Sequence, residues 1–130
     1  MNNAPCVLVV EDDPLHSELH CMMLERAGYH TAAVGNAVEA LALFTDLSPD
    51  LVVTDLRMPG LDGFRFVEIL RRDARGARTP VIMISSDALE LPPRRGVEAG
   101  LFALLPKPVE MVDLLDAAAA ALHPPLGTAA

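Results

Sequence analysis

Short apolar runs alternate with longer amphipathic stretches along the whole chain. Cys6–Val10, His30–Val34, Leu51–Thr54, Val81–Ile84 and Leu101–Leu105 read as strands of four or five residues. The first, third and fourth are nearly all apolar, the pattern of central strands covered on both faces. The stretches between them have helical period and recognisable ends. Asp13 followed by Pro14 is an N-cap with proline in the first helical position, and Gly28 is a natural stop. Leu15, Leu19, Met22, Met23 and Arg26 recur at helical spacing between them. Asn36 with Glu39 forms a capping-box pattern ahead of Ala40, Leu41 and Phe44. Asp62 caps a third helix carrying Phe64, Val67 and Leu70, and Pro108 can open a last one through Val112, Leu115 and Ala119. Strand–helix alternation repeated five times predicts an α/β domain with a doubly wound parallel sheet and helices on both faces.

One helix is weakly specified. Pro92, Pro93 and Gly96 interrupt the stretch between Asp87 and Gly100. Proline inside a helix costs about 3 kcal/mol and glycine about 1 kcal/mol. The helix there is expected to be short and to start no earlier than Pro92 or Pro93. The domain is expected to span residues 1–122, with the proline-rich 123–130 as a flexible tail or linker.

The length of 130 residues fits one domain, and 52% hydrophobic content spread along the chain argues against disorder. The longest apolar runs are too short to span a bilayer, and no basic-then-apolar leader is visible. A net charge of −8 disfavours direct binding to nucleic acid or to an anionic membrane. Cys6 and Cys21 lack any pairing pattern and fit a reducing, cytoplasmic location. Arg71, Arg72, Arg75 and Arg78 read as a solvated face. His16 and His20, one helical turn apart, read as boundary or exposed residues, because HSELH lacks the glutamate placement of a zinc motif and no third ligand is evident. The methionines read as core.

The chemistry sits where strands end. Sites in open parallel sheets form at the carboxyl ends of the strands. There the first strand delivers Glu11, Asp12 and Asp13, the third Asp55, the fourth Ser85 and Ser86, and the fifth Lys107. Carboxylates gathered this way repel one another and raise each other's pKa. Mg²⁺ relieves that repulsion, since it prefers oxygen ligands and keeps several waters. Lys107 can pair with Asp55 and Ser85 can donate a hydrogen bond. Such a site suits attack by a carboxylate oxygen on phosphorus.

The motifs VLVVEDDP at 7–14, LVVTDLRMPGLDG at 51–63, PVIMISSDA at 80–88 and the Lys107–Pro108 step resemble the receiver domains of two-component response regulators, including the single-domain chemotaxis receivers. The resemblance covers about residues 5–122. It implies a flavodoxin-like sheet of five strands in the order 2-1-3-4-5. It further implies that Asp55 accepts phosphate from the phosphohistidine of a histidine kinase or histidine phosphotransfer protein. Asp12 would bind Mg²⁺ (or Mn²⁺) directly, Glu11 mainly through water, and Asp55 and the Arg57 backbone carbonyl would be further ligands. Ser85 would be the hydroxyl switch residue, Lys107 the phosphate-contacting lysine, and Lys107–Pro108 a cis peptide. Asp13 is then the helix cap. An unknown downstream target or attached output domain would read the switch. The family's aromatic switch position, three before Lys107, is Leu104 here, with no ring to rotate, so activation is expected to act on the order of residues 88–99.

Three other classes compete. A haloacid-dehalogenase-like phosphatase needs a second acid two residues after its aspartate, where this chain has Arg57. A flavodoxin-like electron carrier needs a phosphate-friendly first loop and aromatics, against Glu11–Asp12–Asp13 here, one tyrosine and no tryptophan. A phosphorylation-independent pseudo-receiver tends to lose an acid, the hydroxyl or the lysine, and all are present.

Overall fold

Five parallel strands form a single sheet in the order β2-β1-β3-β4-β5. They are β1 Cys6–Val10, β2 His30–Val34, β3 Leu51–Asp55, β4 Val81–Ser85 and β5 Ala103–Pro106. Between and after them run α1 Pro14–Arg26, α2 Ala37–Leu47, α3 Gly63–Leu70, α4 Arg94–Glu98 and α5 Met111–Leu122. This computed structural model describes residues 4–123. The expected tail therefore lies outside the described residues except for His123, which caps α5 and sets its ring 6.1 Å from that of Tyr29.

The expected central strands are central. Every residue of β3 and β4 is buried, while the edge strands β2 and β5 stay partly open. Alternate residues of the central strands serve opposite layers. Leu8, Val10, Val52, Val81 and Met83 pack with α2 and α3 residues such as Phe44, Phe66 and Leu70. Val7, Val9, Val53, Ile82 and Ile84 pack with Met23, Leu24 and Leu114 from α1 and α5. Strand β5 begins at Ala103 rather than Leu101, because Leu101 closes the turn after α4 by donating its N–H to the Gly96 carbonyl. It ends at Pro106, which costs no ladder partner on an outer strand.

The caps fall largely where the residues place them. Asp13 accepts from the N–H groups of Leu15 and His16, and Asp62 from that of Arg65. Asn36 accepts from the Glu39 N–H, but the return arm differs from a capping box: Glu39 Oε2 accepts from the Gly35 N–H and the Asn36 amide. The last helix starts at Met111, not Pro108, so its buried positions are Leu114 and Ala118 while Val112 is exposed. The interrupted stretch gives a 3₁₀ turn at Ala88–Glu90 and then α4, only five residues long and starting just after Pro93.

Three surface expectations are corrected. The inward face of α1 is His20, Met23 and Leu24, so Leu15, Leu19 and Met22 are exposed, and Met111 is exposed too. Two faces of one helix carry apolar residues, and spacing alone does not say which faces the sheet. Arg71 does not belong to a solvated face: its guanidinium donates to the carbonyls of Gly76, Thr79 and Gly100 at 2.6, 2.7 and 2.9 Å. His20 is 4% exposed rather than at a boundary.

Candidate functional site

The parallel register brings the carboxyl ends of β1, β3, β4 and β5 to one edge. Glu11 follows β1 directly, and its N–H donates to the Val34 carbonyl, so the residue is fixed as it leaves the sheet. Asp55 is the last residue of β3. Carboxylate oxygens of Glu11, Asp12 and Asp55 lie within 4.8 Å of one another, with Glu11 and Asp55 buried and Asp12 exposed. Asp13 points elsewhere, to the helix N-terminus it caps, and the hydrogen bond from the His16 N–H holds its pKa below the ordinary value.

Lys107 closes the site from the fifth strand. Its ammonium donates to Glu11 Oε1 and Asp55 Oδ2, both at 2.9 Å. The Lys107 N–H donates to the Ser85 carbonyl, and the following Lys107–Pro108 peptide is cis, as the resemblance implies. The two oxygens of Asp55 are thus distinguished, since Oδ1 accepts from the Leu56 N–H at 2.7 Å. Burial pushes the Glu11 pKa up, and Asp55 beside it adds to that rise against the opposing pull of Lys107. Burial also opposes charge on Lys107, but its hydrogen bonds to Asp55 and Glu11 outweigh it and raise its pKa. A cluster of three acids with one lysine keeps an excess of negative charge, and an all-oxygen donor set with one exposed member fits a hard divalent cation.

Ser85 is fully buried at the end of β4, where its Oγ accepts from the Asp87 N–H at 3.0 Å. Arg57 turns its side chain outward, and its Nε donates to Asp87 Oδ2 at 2.7 Å. No side-chain acid occupies the position two residues after Asp55, against the phosphatase alternative.

His16, expected from the sequence at a boundary or exposed position, belongs to the site. Its Nδ1 lies 3.2 Å from Lys107 Nζ. The first turn of a helix that follows β1 directly must lie at the same edge of the sheet as the acids, and that signal was available in the chain.

Buried His20 has a pKa lowered to about 4, first by burial and then by the charge of Lys107 nearby. An unfolded histidine takes up its proton near 6.5. Between these values the unfolded chain binds more protons, so stability falls as pH drops through that window and this contribution levels off below about 4. Its size is on the order of 3 kcal/mol at most. Urea unfolding of wild type and His20→Leu between mildly acidic and neutral pH checks this: the variant is expected to show a shallower acid slope. Parallel slopes would remove His20 as the cause.

The comparisons with known proteins agree with this geometry. The family model for the response regulator receiver domain matches residues 7–119. A curated relative, the DNA-binding dual master transcriptional regulator RpaA of Synechocystis, is 35% identical over 111 residues, covering 85% of this chain and 46% of that protein. The chain spans about half the length of the DNA-binding regulators it matches. Among solved structures, the chemotaxis response regulator CheY4 of Vibrio cholerae superposes with a TM-score of 0.84 at 27% identity, covering 92% of this chain and 100% of that one. The receiver domain of sensor histidine kinase PA1611 from Pseudomonas aeruginosa superposes with a TM-score of 0.82 at 26% identity, covering 92% of this chain and 98% of that one, and it holds a magnesium ion in its active-site cleft. With the acidic edge in place and the family model spanning the sheet from β1 into α5, the chain belongs to the response regulator receiver domain family of two-component systems.

Proposed function

We propose that this chain is a phosphorelay switch in which Asp55 accepts a phosphoryl group from the phosphohistidine of a histidine kinase or histidine phosphotransfer protein. The observation that carries this reading is the Asp55 carboxylate itself, held at both oxygens by Leu56 and Lys107 beside two further acids. A carboxylate in that position attacks phosphorus, and the chain's task is positioning and charge stabilisation. Lys107 orients Asp55 beforehand and is close enough to pair with an incoming phosphoryl oxygen. Asp12, Glu11, Asp55 and the Arg57 carbonyl would hold Mg²⁺, or Mn²⁺ in its place; bound there, the cation supplies neutralisation of the acids and of the phosphoryl oxygens. The Ser85 hydroxyl, now turned to Asp87, would reorient toward the phosphoryl group.

The chain is a phosphoacceptor rather than a conventional enzyme. Its own turnover would be limited to self-catalysed transfer and dephosphorylation. The described residues contain no helix long and apolar enough to cross a membrane. The free thiols of Cys6 and Cys21 support a cytoplasmic setting. Such a receiver unit would act either as a stand-alone switch or joined to an output domain, without direct contact to nucleic acid by this domain.

The cation site has a specific test. Asp12→Asn should weaken Mg²⁺ binding about tenfold, as removing a neighbour or ligand of a metal does. Asp13→Asn should leave it nearly unchanged, because asparagine caps a helix as well as aspartate. Mg²⁺ titration followed by calorimetry or NMR measures both. A larger loss for Asp13→Asn would move the acidic pair by one residue.

A further inference from the structure

We infer that His16 is a positioning residue for Lys107, an assignment that rests on the phosphoacceptor reading of Asp55. An ammonium has three hydrogens and no acceptor. Lys107 Nζ has three acceptors within reach: Glu11 Oε1 and Asp55 Oδ2 at 2.9 Å and His16 Nδ1 at 3.2 Å. Glu11 and Asp55 accept two of its hydrogens and His16 Nδ1 accepts the third, which would otherwise be unpaired on a side chain only 14% exposed. His16 accepts at Nδ1 in its neutral form with the hydrogen on Nε2.

The placement of the ring is itself supported. The His16 N–H donates to the cap residue Asp13, so the residue belongs to an anchored first turn. Its ring stacks on that of His20, with centroids 6.3 Å apart and planes 26° apart, and His20 is buried. His16 Nδ1 stands 4.0 Å from both Glu11 Oε1 and Asp13 Oδ2. A neutral acceptor holds the lysine without adding a fourth negative charge to the cluster, whereas a carboxylate there would compete with Asp55 for the ammonium. Beside the lysine lies a cavity of about 310 Å³ lined by His16, Leu19, His20, Ser86, Pro108 and Val109. Without the imidazole nitrogen, the third hydrogen faces this space and the Lys107 head swings toward it.

Two variants separate positioning from packing. His16→Leu keeps an apolar side chain against His20 and removes the acceptor; His16→Gln keeps an acceptor on a flexible side chain. His16 is half exposed, so both should fold. Two quantities are measured in each: the rate of labelling by acetyl phosphate with Mg²⁺, and the ¹⁵Nζ signal of Lys107 without phosphodonor at a pH above the imidazole range. His16→Leu should slow labelling about three- to tenfold, the loss of one hydrogen bond, and should speed hydrogen exchange at the Lys107 ammonium. His16→Gln should recover most of both. Wild-type behaviour in His16→Leu would overturn the assignment, as would equal impairment or loss of fold in both variants, which marks a packing role. If wild type takes no label while its Nζ signal still responds to His16→Leu, the phosphoacceptor reading fails and the His16–Lys107 contact stands.

Discussion

Asp55→Asn should take up no phosphoryl group under conditions that label the wild type. The amide is close to isosteric, and its oxygen can keep the hydrogen bond from the Leu56 N–H. What changes is the atom facing Lys107. A carboxylate oxygen that accepts from the ammonium becomes either an amide NH₂ or a weaker carbonyl acceptor, and neither attacks phosphorus. The fold should survive: the lysine keeps Glu11, repulsion within the acid cluster falls, and the net stability change should stay within about 1–3 kcal/mol. Intact mass after incubation with acetyl phosphate and Mg²⁺ reads the result directly. Label retained at the wild-type level on a folded Asp55→Asn would place the acceptor on another residue.

The second large effect is expected from Gly63→Ala at the first position of α3. A methyl group there would stand 2.5 Å from the Asp55 carbonyl oxygen, 2.9 Å from Met83 Cε and 3.0 Å from Leu56 Cα. The methionine can move, but the other two contacts are backbone at the end of a buried central strand. Overpacking of this kind costs about 1–3 kcal/mol, more than the gain in helix propensity from alanine, which is at most about 1 kcal/mol. Relief requires the end of β3 to shift, and Asp55 shifts with it. The denaturation midpoint should fall and labelling should slow. A midpoint equal to or above the wild type would mean that the turn between β3 and α3 yields at no cost.

Much of this was legible in the residues. Apolar runs found all five strands, because a doubly covered strand needs apolar side chains on both faces, and Leu51–Val53 and Val81–Ile84 have nothing else. Strand ends then located Glu11, Asp12, Asp55, Ser85 and Lys107, since a parallel sheet leaves little choice about which edge those ends share. The misreadings have a common cause: they depend on which way a helix faces. Leu15, Leu19 and Met22 have as good a helical period as His20, Met23 and Leu24, and only docking on the sheet decides between them. In α3 the spacing of Phe64, Val67 and Leu70 hides the fully buried Phe66 for the same reason. The start of α5 slipped because Val109 packs into the core ahead of the helix rather than on it. His16 was set aside because its partner, Lys107, lies 91 positions away along the chain.

The three carbonyls gathered by Arg71 have a mechanical consequence. Thr79 stands just before β4 and Gly100 just before β5, so one guanidinium staples together the entry points of both strands, at the end of the sheet opposite Asp55. Arg71 itself closes α3, the helix that leads away from the Asp55 turn. Strands β4 and β5 are therefore tied to each other and to the end of α3 where they enter the sheet. Ser85 and Lys107 lie at the ends of these strands that Arg71 does not hold. A lysine at position 71, with a point charge in place of the planar fork, would not clamp the three carbonyls in the same way, and the tie between the two strand entries would loosen.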